Sequence, residues 1–187
     1  SKLMLFDPQG NRKYLNALER KKFYKCALNL SSKRDKMLCL TLYHSGCRIS
    51  EALHLNSTSI DLHEKTLVFR TLKQRDKIIH RAVPLPEGFL RELSKFSSNS
   101  DDLWGVCRST AWKIIKDCMK EAKISGIKAT PKGLRHSFAI ACVTNKVPLS
   151  VLKKWMGHAK LDTTACYLDF VGKDERAFAK ALWKASA

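Results

Sequence analysis

The sequence predicts an α+β domain that is mainly α-helical and carries a small antiparallel β-sheet or hairpin. Apolar residues recur at helical spacing along most of the chain, beginning with Phe23, Cys26, Ala27 and Leu30 at positions i, i+3, i+4 and i+7. Only residues 60–84 change to β-rich runs around a charged turn. With 187 residues, 44% of them hydrophobic, the chain is long enough for one full-sized core.

Local signals delimit the first two helices. Asn16 and Glu19 have the spacing of a capping box, and Ser32 with Asp35 three residues later predicts a second cap. Gly46 is expected to end the second helix, because glycine tolerates the left-handed conformation that helix ends require.

A short third helix is predicted over residues 48–55, RISEALHL. Arg48 stands at its start, and Glu51, three residues later, can pair with it. An ordinary ion pair at this spacing is exposed and contributes only a few tenths of a kcal/mol. Arg48 is therefore either such a surface residue or part of a site.

The runs TLVFRTL and IIHRAV flank the polar turn KQRDK and predict a β-hairpin. Its tip carries Lys73, Arg75 and Lys77. These side chains could reach into a nucleic acid, or they could belong to a solvated turn that keeps the strand edges soluble.

The second half of the chain is predicted to be a series of helices separated by loops, of which residues 97–102, SSNSDD, are the most polar. One helix has Trp112, Ile115, Met119 and Ala122 as its apolar stripe. Three others begin at proline, which is favoured in the first turn of a helix. The predicted ranges are 86–96, 112–122, a helix from 131, 148–157, 161–170 and 174–185.

The charge of the chain predicts a polyanionic partner. Thirty-five Lys and Arg residues against 17 Asp and Glu residues give a net charge of +18, which favours a nucleic acid over a membrane surface. The seven cysteines lack the spacing of a zinc site and indicate reduced thiols in a cytoplasmic compartment. No carboxylate cluster suggests a metal, so we expect no metal and no cofactor.

Four residues between positions 131 and 167 suggest phosphodiester chemistry. Lys132 and Arg135 share one helix face, His158 follows a glycine that ends a helix, and Tyr167 lies nine residues later. Cations of this kind stabilise phosphate oxygens, and a tyrosine hydroxyl can act as the nucleophile. Taken singly, His158 could instead cap helix carbonyls and Tyr167 could be a half-buried core residue with its hydroxyl bonded.

These segments resemble the sequence boxes of the tyrosine recombinase (phage-integrase-type) family. The matching segments are GCRISE at 46–51, the K-x-x-R pattern at 132–135, MGH at 156–158 and Tyr167, with a hairpin lysine at Lys73 or, alternatively, Lys77. The resemblance divides the chain into a lead-in at 1–13, a catalytic domain at 14–170, and a C-terminal helix or tail at 171–187.

The resemblance implies a role for each residue. Tyr167 would attack DNA and form a 3′-phosphotyrosyl intermediate, Arg48 and Arg135 would clamp the phosphate, and Lys73 would act as general acid. His158 and Lys132 would bind the phosphate or transfer protons, and Glu51 and His136 would support the catalytic residues. The side chains that would bind DNA are Arg75, Lys77, Lys153 and Lys154. Lys132 stands where most family members have histidine, and lysine is the poorer base at neutral pH.

The resemblance also implies partners and a reaction: site-specific cleavage and rejoining of double-stranded DNA, as in integration, excision or inversion. The protein would be a monomer when free and a homotetramer on DNA, with the tail docked on a neighbouring protomer and accessory DNA-bending proteins as further candidates. A bacterial, phage or plasmid origin and a cytoplasmic location are expected.

Two alternatives stay open: a type IB topoisomerase-like enzyme and a non-catalytic DNA-binding module. Because only a short lead-in precedes the first helix, the chain is expected to be either a fragment or a small single-domain recombinase.

Overall fold

The computed structural model describes residues 5–73, 77–158, 164–165, 167 and 175–186, and the side chains of residues 72, 73 and 175–178 lie outside that description. It confirms a mainly helical fold with a small antiparallel sheet. The helices are α1 (Ala17–Leu28), α2 (Lys33–Ser45), α3 (Ile49–Leu53), α4 (Glu87–Ser97), α5 (Arg108–Glu121), α6 (Pro131–Thr144), α7 (Leu149–Met156) and α8 (Glu175–Ala185), with a 3₁₀ turn at Ser57–Ser59. The strands are β1 (Ile60–Asp61), β2 (Thr66–Lys73) and β3 (Lys77–Pro84).

Both predicted N-caps are present. The Asn16 side chain accepts a hydrogen bond of 2.8 Å from the Glu19 backbone N–H, and the Glu19 carboxylate accepts one of 3.0 Å from the Asn16 backbone N–H. The Ser32 hydroxyl accepts from the Asp35 backbone N–H at 3.2 Å. These bonds satisfy backbone donors that have no partner inside the first turn of a helix.

Two helices end at glycines in the left-handed conformation, next to the predicted site residues Arg48 and His158. Gly46 follows α2 with φ +65°, and Gly157 follows α7 with φ +68°. The sharp turns that they permit place Arg48 and His158 directly after the helix ends.

The sheet has the strand order β1-β2-β3, and both pairs are antiparallel. In the hairpin, Leu67 lies opposite Val83 and Lys73 lies opposite Lys77. The predicted hairpin is therefore confirmed, whereas its turn at residues 74–76, including Arg75, lies outside the described residues.

The buried apolar residues form two clusters. The larger one unites α1, α2, α5 and the sheet around residues such as Phe23, Leu38 and Phe69. The smaller one packs Leu5, Phe138, Ala139, Cys142, Val143, Leu152, Met156 and Tyr167 together. Tyr167 is thus anchored on α6 and α7 by burial of its ring.

Trp112 departs from the apolar stripe to which the sequence assigned it. Ile115 and Met119 are buried, but Trp112 is 43% exposed and carries the Lys116 ammonium 5.4 Å from its ring centroid. It lies in the first turns of α5, where the helix leaves the core and borders an open cavity. Within the described ranges, the helices are all too short or too polar to cross a bilayer.

Gly46→Ala should destabilise the protein by about 2–4 kcal/mol. A Cβ at this position would lie 2.2 Å from Cδ1 of the buried Phe138 ring, and the left-handed backbone adds its own strain. The free energy of unfolding, measured by urea denaturation, tests the prediction.

Gly126→Ala is the matched control. Gly126 also has a positive φ, +87°, but a Cβ there would meet no atom within 4 Å. We expect this variant to lose about 1 kcal/mol, from backbone strain alone. Equal losses in the two variants would show that the contact with Phe138 contributes nothing.

Candidate active site

A cavity of about 330 Å³ opens between the starts of α3, α5 and α6 and the end of α7. Its described lining includes four cationic side chains and no carboxylate. The lining residues are Arg48, Ile49, Ser50, Arg108, Trp112, Thr130, Pro131, Lys132, Arg135, His136, His158 and Tyr167. Five of the predicted catalytic residues, from four separate segments of the chain, therefore meet at one cavity. Arg108 joins them although the sequence pattern did not single it out.

Arg135 is the buried centre of this cavity. Its guanidinium donates hydrogen bonds of 2.8 Å to the carbonyl oxygens of Gly46 and Met156. Burial, followed by the positive charge of Arg48, lowers the pKa of Arg135 to about 10, which leaves it charged at neutral pH. By binding the ends of α2 and α7 together, Arg135 fixes the distance between the turns that carry Arg48 and His158.

His158 is held by two partners at once. Its Nε2 accepts from the Arg135 guanidinium at 3.3 Å, so its Nδ1–H donates to the Thr164 hydroxyl at 2.7 Å. Burial and then the charges of Arg135 and Arg48 lower the pKa of His158 to about 4, so the ring is neutral. The ring therefore orients Arg135, and it does not cap the carbonyls of α7.

The Tyr167 side chain is buried, with its hydroxyl oxygen 2.7 Å from Nδ1 of His136. Burial, and then the charges of Lys132 and Arg135, lower the pKa of His136 to about 4. The packing of Tyr167 is that of a core tyrosine, yet its hydroxyl belongs to the cationic cavity. The sequence predicted a structural or supporting role for His136, because its neighbour Arg135 fills the catalytic position, but no local pattern indicated that it would contact a residue 31 positions away.

Arg48 and Lys132 form the exposed rim. The Arg48 guanidinium is 3.7 Å from the Glu51 carboxylate, and the same carboxylate oxygen accepts the Arg48 backbone N–H at 2.8 Å. Lys132 lies exposed in the first turn of α6, where helix N–H groups also favour an anion. Both side chains are accessible to a ligand.

Glu51 has a second partner, Arg81, which the sequence analysis missed. The two side chains form a buried ion pair in which Arg81 also donates to the Thr71 hydroxyl at 2.9 Å and to the Trp155 carbonyl at 2.8 Å. Burial alone would raise the pKa of Glu51, but the Arg81 guanidinium lowers it to about 2. Arg81 thereby joins β2, β3, α3 and α7 directly behind the cavity.

One signal in the sequence could have identified Arg81. It shares the period-2 face of β3 with Val83, and both residues are buried. A charge on the buried face of a strand requires a partner, since an unpaired charge in the interior is costly.

Two of the other predicted side chains line a second cavity, of about 400 Å³, that shares His158 with the first. Lys153 and Lys154 line it, and Lys77 is exposed on β3. The backbone of Lys73 ends β2, but its side chain, like all of Arg75, lies outside the described residues.

Comparison with known proteins identifies the family. Residues 13–171 match the profile of the phage integrase family. The chain belongs to this family. It is 30% identical over 153 residues to the tyrosine recombinase XerA of Pyrococcus furiosus, and the match covers 75% of this chain and 51% of that relative. The chain spans about half the length of the curated relatives of this kind.

Solved structures of family members share the fold. A crystal structure of the XerH site-specific recombinase bound to its difH substrate superimposes with a TM-score of 0.75 at 21% identity, covering 95% of this chain and 59% of that one. The catalytic domain of bacteriophage HP1 integrase gives a TM-score of 0.67 at 21% identity, covering 84% of this chain and 87% of that one.

Arg81→Met should lower the free energy of unfolding by about 3–5 kcal/mol at pH 7, because it leaves the buried Glu51 carboxylate unpaired. Since the native pair holds the pKa of Glu51 at about 2, its contribution exists above the ordinary glutamate pKa and is lost as the pH falls towards 2. In the variant, Glu51 takes up a proton instead, so the loss in the free energy of unfolding relative to the wild type should shrink as the pH falls from 7 to 4. Urea unfolding at both pH values measures it.

Arg91→Met is the control, because Arg91 pairs with Glu87 on an exposed helix surface at 2.8 Å. We expect a change within about 0.5 kcal/mol at both pH values. A deficit for Arg81→Met that is as small as this, or that is independent of pH, would contradict the role assigned to the buried pair.

Proposed function

We propose that this domain cleaves and rejoins DNA strands as a site-specific tyrosine recombinase. One observation carries the proposal: a tyrosine hydroxyl lies in a cavity lined by Arg48, Arg108, Lys132 and Arg135, whose described lining has no carboxylate. Such an excess of positive charge around a nucleophile is suited to a phosphodiester.

The cations would stabilise the transition state. A phosphoryl group under attack develops charge on its non-bridging oxygens, and planar guanidinium groups bind such oxygens in pairs. Arg135 is held by the carbonyls of Gly46 and Met156, and Arg48 lies in the turn that follows Gly46. The two arginines would therefore clamp one phosphate without needing to rearrange.

Tyr167 would supply the nucleophile, and its attack would form a phosphotyrosyl bond to the 3′ end while the 5′ oxygen departs. Lys73, at the end of β2, would protonate that oxygen, with Lys77 opposite it as the alternative. The covalent bond conserves the energy of the original linkage, so a second strand could be joined without a cofactor.

DNA is the proposed partner. The chain carries a net charge of +18, and Lys153 and Lys154 border a cavity adjacent to the catalytic one. XerH, which shares the fold, is bound to its difH substrate. We further propose a tetramer on DNA, with α8 docking on a neighbouring protomer, because this helix exposes Leu182 and Trp183.

Incubation with a pool of nicked duplexes, whose cut strand releases a short fragment, should yield protein–DNA adducts that resist SDS. Loss of the fragment prevents religation, so the intermediate accumulates. Tyr167→Phe should abolish the adduct, because it removes only the attacking oxygen. Gel electrophoresis detects the adduct, and sequencing of the trapped DNA gives the site.

Tyr24→Phe serves as the control, because Tyr24 stacks on Tyr43 within the larger core cluster and lies outside the cavity lining. It should form the adduct at the wild-type level. An adduct that persists in Tyr167→Phe would remove Tyr167 as the nucleophile. Relaxation of a plasmid without any trapped site would instead favour the topoisomerase-like alternative.

The double variant Lys153→Ala, Lys154→Ala should weaken DNA binding uniformly across sequences. Each lost phosphate contact should reduce the slope of log K against log salt by about 1, so we expect a reduction of about 2. Fluorescence anisotropy of a labelled duplex at several salt concentrations measures the slope.

Lys33→Ala, Lys65→Ala removes the same charge from two lysines that pair with Glu92 and Glu87. This matched variant should keep the wild-type slope within about half a unit. If both double variants lower the slope equally, net charge alone explains the effect and the second cavity is not part of the DNA path.

A further inference from the structure

His136 combines three features that Arg135 does not explain. Its ring is only 3% exposed, and its Nδ1 contacts the hydroxyl of the proposed nucleophile at 2.7 Å. Its Nε2 is buried and has no hydrogen-bond partner among the described residues. A buried polar atom without a partner is costly and is rare away from functional sites. The ring is therefore placed for its contact with Tyr167 and not for a bonding network of its own.

The other basic groups at the cavity are less suited to taking the proton of Tyr167. The Nε2 lone pair of His158 already accepts from Arg135, and its Nδ1 bonds Thr164. Lys132, at the position where the family usually has histidine, is a positive charge that acts on His136. Among the described residues that line the cavity, His136 is the imidazole in contact with the tyrosine oxygen.

We propose that His136 is the general base that deprotonates Tyr167 when the scissile phosphate occupies the cavity. This assignment rests on the proposed strand cleavage and adds a catalytic role to a residue that had only a supporting one. In the resting protein, the phenol donates its hydrogen bond to the Nδ1 lone pair, and Nε2 carries the ring proton.

The charges around the ring make this base dependent on its substrate. Lys132 and Arg135 face it from α6, Lys13 faces it from the segment before α1, and His158 lies nearby. Burial and these cations hold the pKa of His136 at about 4 and keep the ring neutral. A bound phosphate would bring a negative charge among the same cations, which favours the imidazolium form. The ring would then gain basicity only with DNA in place.

The proton and electron balance is complete. The proton of Tyr167 moves to Nδ1 as the phenolic oxygen bonds to phosphorus, the bond to the 5′ oxygen breaks, and that oxygen takes a proton from the general acid. When a 5′ hydroxyl attacks in the reverse step, its proton returns to the group that acted as general acid, the bond between phosphorus and the tyrosine oxygen breaks, and the imidazolium returns its proton to that oxygen. No other reactant is consumed.

The test compares His136→Asn with the wild type on a nicked duplex recovered from the trapping experiment, at saturating DNA. Asparagine keeps an acceptor near the position of Nδ1 but cannot take a proton. The rate of adduct formation at pH 7 should fall by about 10²- to 10⁴-fold. Between pH 7 and 9 the variant should gain about tenfold per pH unit, because hydroxide must then take the tyrosine proton and its concentration rises tenfold per unit. The wild-type rate should stay nearly constant over this range.

His158→Asn is the comparison variant, because it disturbs the orientation of Arg135 without touching the tyrosine oxygen. It should lower the rate while keeping the flat pH profile. A substrate with a sulfur in place of the 5′ oxygen should not rescue His136→Asn, because a better leaving group compensates for a missing acid and not for a missing base.

The outcomes separate the two hypotheses. Suppose that the wild type forms the adduct, and that His136→Asn reacts with an unchanged pH profile or reacts faster. That result overturns the role of His136 as general base and leaves the proposed strand cleavage intact. Absence of any adduct from the wild type overturns strand cleavage, and the base with it. Should His136→Asn not fold, ¹⁵N NMR of the wild-type imidazole decides: the pKa of His136 should rise by at least about one unit on DNA binding. An unchanged pKa overturns the proposal.

Discussion

The buried ion pair between Glu51 and Arg81 is the interaction on which the site depends. It joins the first turn of α3 to the middle of β3, 30 residues away, and the same guanidinium reaches Thr71 on β2 and the Trp155 carbonyl at the end of α7. A pair of this kind adds little net stability over an apolar core, yet removal of one partner is severe. Its consequence is therefore geometric, because four elements can meet only in the arrangement that satisfies both charges.

Two layers of arginine follow from this arrangement. Arg81 lines the second cavity with its charge neutralised by Glu51, whereas Arg135 lines the first, where its guanidinium donates to two carbonyl oxygens and to Nε2 of His158 and keeps its charge. A third arginine, Arg48, is half-exposed at the rim. The buried charge of Arg81 is thus compensated by a carboxylate, whereas Arg135 keeps its charge where a phosphate would bind.

Burial, together with the same excess of charge, accounts for the neutral histidines of the cavity. The pKa of His136 and that of His158 are both near 4, because burial and the surrounding cations disfavour the imidazolium form. A neutral ring can accept a hydrogen bond, as Nε2 of His158 does from the Arg135 guanidinium, and Nδ1 of His136 lies 2.7 Å from the Tyr167 hydroxyl oxygen. An anion in the cavity would raise the pKa of both rings, so the binding of an anion and the uptake of a proton would be electrostatically linked.

Much of this protein could be predicted from local patterns. Asn16 and Ser32 begin helices, and Gly46 and Gly157 end them, because capping depends on residues within one turn. The hairpin followed from a change of period, and the residue types of the site matched the boxes of one family. Each of these inferences uses interactions between near neighbours, which a sequence displays directly.

The contacts within the site were decided by the tertiary structure. Sequence patterns were sufficient to predict the fold class, the helix ends and the group of cations around a tyrosine. They did not predict that Glu51 would pair with Arg81, or that His136 would touch the Tyr167 hydroxyl. Those choices join residues 30 and 31 positions apart, and they follow from which buried polar groups can satisfy one another once the helices and the sheet have packed.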